Sequence, residues 1–189
     1  MERNFAKILI LTVTIFLVNG CSKKNEPADL DMSNTEIKQF SLKQFASNKI
    51  SFTLKGESAE ISSGGETSVR SPQLSFSTSK EIIEINTGKE GKGEIKIVPD
   101  EKKLTTIVIT GNVKIVYRDI ETGVVTMEGY CQKLTYYDEQ KRLVMEGSPY
   151  VTKGKNRFSG DMIFYEFEKN TIEVKGNIDA QIYTEKKPD

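Results

Sequence analysis

The chain has 189 residues, enough for one domain, with 27 Lys+Arg balanced by 27 Asp+Glu and a 29% charged fraction interspersed along it. That balance gives no pull toward nucleic acid or an anionic surface. The absence of His removes Ser-His-Asp triads, Cys-His pairs and histidine-ligated zinc, leaving any acid-base chemistry to carboxylates, Lys, Tyr or Cys131.

At the N-terminus, Arg3 and Lys7 precede an apolar run over residues 8–18 that is interrupted by Thr12 and Thr14. It suits the core of a signal peptide and falls short of the roughly 20 residues that a spanning helix needs. It ends in Leu17-Val18-Asn19-Gly20-Cys21, which resembles the bacterial lipoprotein cleavage site, so residues 1–20 are expected to be a signal peptide and Cys21 the lipidated residue. An ordinary secretory signal with an incidental Cys is the alternative. Residues 21–35 are polar, contain Pro27 and lack periodicity, so they are expected to form a flexible tether. Once Cys21 is acylated, Cys131 is left without a disulfide partner, and stability must come from packing.

From about residue 36 to 184, short period-two segments follow one another, with expected strands over 50–54, 60–62, 73–77, 82–86, 94–98, 105–110 and 113–118. They continue over 124–128, 133–137, 143–146, 150–152, 157–159, 163–167, 172–175 and 178–183, separated by turn residues such as Ser71-Pro72 and Lys153-Gly154. No segment after residue 36 carries a capped helical pattern, so the fold class is all-β: a sandwich, jellyroll or barrel-like stack. One phrase repeats: Ile107-x-Ile109-x-Gly111-Asn112, Val125-x-Met127-x-Gly129, Leu143-x-Met145-x-Gly147-Ser148 and Ile172-x-Val174-x-Gly176-Asn177. A Gly held in phase with an apolar face marks a bulge or corner, so each phrase predicts a bent strand.

Chemical motifs are sparse. Gly88-Lys89-Glu90-Gly91-Lys92-Gly93 precedes a strand instead of a helix and lacks the Lys-Ser/Thr ending of a phosphate loop, so a hairpin loop is expected there. Glu166 with Glu168, or Asp138 with Glu139, could pair as in a glycosidase, but polar strand positions and turns are ordinarily solvated surface. No cofactor or metal is expected.

The remaining candidate is the interior. The in-phase residues are Ile107, Ile109, Val113, Ile115, Tyr117, Val125, Met127, Leu134, Tyr136, Leu143, Met145, Val151, Ile163, Tyr165, Phe167, Ile172, Val174 and Ile178, with Ile182 beyond them. They form either a closed core or an open-sided groove able to take acyl chains. In a groove each buried methylene would gain about 0.8 kcal/mol.

Asn156-Arg157-Phe158-Ser159-Gly160-Asp161-Met162-Ile163-Phe164-Tyr165, followed by the strand ending in Gly176-Asn177, resembles the OstA-type repeat of lipopolysaccharide transport. Leu134 through Pro149 resembles the same repeat with Ser148 in place of Asn. Residues 36–119, with Ala59-Glu60 and then Ser71-Pro72-Gln73-Leu74-Ser75-Phe76, are similar to the LptC family, and about 104–184 to OstA-like repeats. The resemblance implies a periplasmic β-jellyroll of two antiparallel sheets that holds lipid A acyl chains, and it implies no enzyme. It also implies partners: lipopolysaccharide, other Lpt bridge proteins joined by edge-strand addition, and inner-membrane ABC transporter components supplying the energy. The expected lipid anchor, in the inner or outer membrane, departs from the transmembrane helix usual in LptC. A structural envelope lipoprotein with a closed core, or a carboxylate enzyme acting on envelope glycans, are the competing readings.

Overall fold

A computed structural model describes residues 35–46, 49–62, 66–98 and 103–183. The signal peptide, Cys21 and most of the tether lie outside the described residues.

The chain opens with a long hairpin, β1 (Thr35–Ala46) and β2 (Lys49–Ile61), and then makes short strands β3 (Thr67–Arg70), β4 (Gln73–Ser77), β5 (Glu81–Asn86) and β6 (Lys92–Val98). A second long hairpin follows, β7 (Lys103–Asp119) and β8 (Val125–Tyr137). Six short strands finish the fold: β9 (Arg142–Glu146), β10 (Tyr150–Lys153), β11 (Asn156–Ser159), β12 (Met162–Glu166), β13 (Thr171–Lys175) and β14 (Asp179–Gln181). All the pairings are antiparallel and belong to one sheet.

That sheet is folded back on itself. Residues 52–55 of β2 pair with β4, whereas residues 58–61 pair with β3. The C-terminal half of β7 pairs with β5 and its N-terminal half with β6. β8 pairs with β10 through residues 128–130 and with β9 through residues 133–137. One layer therefore runs β2–β4–β5–β7–β8–β10–β11–β14 and the other β2–β3–β6–β7–β8–β9–β12–β13, with β1 flanking both halves of β2. Each short strand belongs to one layer, and the long strands bend through both.

Positive-φ residues mark the fold line: Gln39, Ser71, Gly111, Gly147, Ser148, Gly176 and Asn177. Backbone bonds cross it, from Ser71 N to Gly91 O (2.9 Å) and from Asp161 N to Lys175 O (2.9 Å). The Gly-Asp and Gly-Asn pairs of the repeat acquire a physical role here, because Asn177 Nδ2 donates to both Asp161 carboxylate oxygens at 3.0 and 3.1 Å. Asn112 accepts similarly from Gln132 Nε2 at 3.4 Å. These motif residues clamp the corner and take no part in lining the interior.

Two expectations need correction. Residues 88–93 are no hairpin loop: β5 and β6 belong to different layers, so this segment turns a corner. Gly129 is no corner either. It pairs with Ile115 and Val151 in mid-strand, and the bend of β8 falls at Gln132, between its two sets of partners. Period-two patterning locates a face, but a Gly in phase with it can also be mere filler.

Candidate functional site

The inward residues of both layers form one buried cluster. On one side Phe52, Leu54, Leu74, Phe76, Ile83, Ile85, Ile115 and Tyr117 are buried; on the other, Val69, Ile95, Ile107, Ile109, Leu134, Tyr136, Leu143, Met145, Ile163 and Tyr165. Val113, Met127, Cys131 and Val151 are buried in the same cluster. Burial pushes the Cys131 thiol up to about 12, so it stays a neutral core group.

Of the expected lining set, Ile107, Ile109, Val113, Ile115, Tyr117, Met127, Leu134, Tyr136, Leu143, Met145, Val151, Ile163 and Tyr165 are brought together in this cluster, and Phe167, Ile172 and Val174 pack against it partly buried. Val125 does not join them. A register shift pairs it with Arg118, whose parity is outward, and it is 41% exposed. Ile178 and Ile182 share the parity of Ala180, which lies opposite inward Phe158, yet they are 62% and 64% exposed because β14 pairs only with β11 among the described residues.

Opposite the corner, rings from the two layers meet. Phe76 of β4 lies 4.7 Å from Tyr136 of β8 and 4.9 Å from Phe167, just beyond β12, while Tyr117 of β7 lies 5.1 Å from Tyr165 of β12. Phe52 continues the row toward Tyr136 at 6.2 Å. The layers thus cross instead of stacking strand on strand, as twisted sheets do. This aromatic row closes the mouth of the fold.

Sequence reasoning missed the polar groups at this mouth. Glu81 has inward parity with Ile83 and Ile85. Its Oε1 accepts from Thr126 Oγ1 at 3.1 Å, and its Oε2 lies 3.3 Å from the Tyr165 hydroxyl across the interlayer gap. The same hydroxyl lies 2.8 Å from Asn170 Oδ1. One phenol proton serves one acceptor at a time, so turning the Asn170 amide to donate would leave that proton for Glu81. The Tyr117 hydroxyl is fully buried and has no hydrogen-bond partner. Burial pushes its acidity well below that of a free phenol, so it stays a neutral donor. Parity alone shows Glu81 as one carboxylate in an apolar phase, and that was the available signal.

Outward faces carry the charge in cross-strand pairs such as Lys114–Glu128 (2.7 Å) and Lys133–Glu146 (2.8 Å). Glu166 is held by Lys169 and Arg142, which keep its carboxyl below the usual range, the reverse of what a general acid needs. Asp138 is not the solvated turn residue expected: it is buried, accepting from Tyr136 Oη at 2.9 Å and Lys141 Nζ at 2.7 Å. No cluster of metal-ligating residues and no helix able to cross a membrane occurs among the described residues.

Residues 51–171 match the family described as LptA/(LptD N-terminal domain) LPS transport protein. The chain belongs to this family. It is a family of transport components, not enzymes. Among solved structures the chain is similar to LptH, the LptA-homologous periplasmic component of the lipopolysaccharide transport device of Pseudomonas aeruginosa. The two share 16% identity with a TM-score of 0.54, over 70% of this chain and 95% of that one. At that identity the likeness concerns the fold, an LptA-like β-jellyroll. No curated protein matches the chain.

Proposed function

We propose that the chain is a lipid-anchored periplasmic component of the lipopolysaccharide export bridge, held through Cys21 to the inner or outer membrane. Its interior takes lipid A acyl chains between the two layers and passes them to neighbouring bridge proteins. The observation that carries this reading is a single apolar interior running the length of a folded sheet and left uncovered at the end bearing β13 and β14. Among the described residues β13 pairs only with β12, β14 only with β11 and β1 only with β2, so each offers an edge for a partner's strand. Inner-membrane ABC transporter components would supply the energy. The LptC-like or LptA-like position in the bridge belongs to the same proposal, as does the division into a signal peptide over 1–20, a tether over 21–35 and a jellyroll over 36–184.

A photo-crosslinker placed at Met145 or Tyr165 in cells tests the reading: it should capture lipopolysaccharide, and capture only from an outward position such as Glu168 would refute it. The interlayer ring contacts favour a second reading, a structural lipoprotein whose core stays closed. That reading predicts end-to-end association with no lipid uptake.

A further inference from the structure

The mouth of the fold holds a fully buried Tyr117 hydroxyl that bonds to nothing, beside a Tyr165 hydroxyl shared between Glu81 and Asn170. A buried unpaired hydroxyl is costly, and native structures retain few without a use. Tyr117 and Tyr165 come from opposite layers with their rings 5.1 Å apart, and both pack on the continuous apolar cluster between those layers. We infer that these two phenols form a site for the carbonyl that links an acyl chain to its headgroup, with the chain lying inward toward Ile115 and Ile163.

The chemistry of the surroundings selects that ligand class. A carbonyl oxygen accepts and does not donate, which matches two phenols that remain neutral donors. Glu81, also at the mouth, disfavours a phosphate or free carboxylate at the same spot. In the closed state the Tyr165 proton is taken by Glu81 or Asn170, one at a time, and the Tyr117 proton has no acceptor. When the two rings separate to admit a chain, both become available at the rim. The site rests on the acyl-binding reading above and specifies where along the lipid the protein makes its polar contact.

The test compares dioctanoyl phosphatidylcholine, which is ester-linked, with its dioctyl ether counterpart, which lacks only the carbonyls. Both are titrated calorimetrically as monomers into the protein. The expected result is binding of both, with the diester about 5-fold tighter, the net worth of one hydrogen bond. Tyr117→Phe should erase the preference and leave the protein no less stable, because it removes an unpaired hydroxyl. Should that variant fold poorly, Tyr117→Leu, which also lacks the hydroxyl, permits the same comparison. Equal affinity for the two lipids, or a preference that survives Tyr117→Phe, overturns the carbonyl site and leaves acyl binding standing. Binding of neither lipid overturns both readings.

Discussion

Replacing Gly111 with Ala strikes the fold line where the longest strand crosses between layers. Gly111 has φ +117°, which side-chain-bearing residues scarcely adopt, and a Cβ there would lie 3.2 Å from the Gly91 backbone Cα. Holding a non-Gly residue in such a region costs about 1–3 kcal/mol. The backbone contact can be relieved only by moving the adjoining corner, so the sum is about 2–4 kcal/mol. For a domain of this size that lowers Tm by roughly 5–15 °C. Gly129 is the control, since it occupies the same place in the repeated phrase. A Cβ there meets Ile115 and Met145 side chains at 3.4–3.5 Å, which is ordinary contact. Gly129→Ala should therefore be neutral or stabilise by up to about 1 kcal/mol, because Ala loses less backbone entropy on folding. Urea denaturation and thermal melts of both variants decide the matter. Equal losses in the two would show that the phrase, and not the corner geometry, sets the requirement.

Asp138→Ala strands the buried Tyr136 hydroxyl and should destabilise by about 1.5–3 kcal/mol in urea titration, with Asp138→Asn milder because it keeps an acceptor. Burial raises the phenol pKa values of Tyr117, Tyr136 and Tyr165 above their unfolded value of about 10. Above about pH 10 the folded state therefore holds more protons than the unfolded state, so stability, full below that pH, falls as pH rises. Urea midpoints measured from pH 8 to 11 should show the fall and Tyr136→Phe should flatten it; an unchanged slope in that variant contradicts the assignment.

Alternation made most of this fold legible. β-Branched residues in one phase of β7 place Ile107, Ile109, Val113 and Ile115 inside, and the structure buries all four. The phase is kept across Gly111-Asn112 although β7 is one bent strand and not the two expected, because the ladder skips both residues and resumes at Val113. β1 went unrecognised as a strand because its inward set, Ile37, Phe40, Leu42 and Gln44, breaks phase at Gln39. Val125 misled because a register shift two residues from a turn cannot be read from parity. The mouth was the least legible part. Which ring faces which depends on how the layers cross, and nothing within a single strand encodes the approach of Phe76 to Tyr136 or of Glu81 to Tyr165.

The uncovered end of the interior yields the last prediction. Ile178 and Ile182 flank β14 with the parity of Ala180 yet remain about three-fifths exposed. Fully burying an Ile contributes about 1.5–3 kcal/mol, so covering the exposed share of both would add roughly 2–4 kcal/mol to any contact at this end. That corresponds to about 30- to 1000-fold in affinity. Replacing both (Ile178→Ser, Ile182→Ser) removes little that the isolated domain uses, so its melting temperature should scarcely move. Association through this end should weaken by that factor in sedimentation velocity run over a range of concentrations. A domain that associates as tightly without these two side chains makes its contacts at another surface, and the free edges of β13 and β14 would then need no partner.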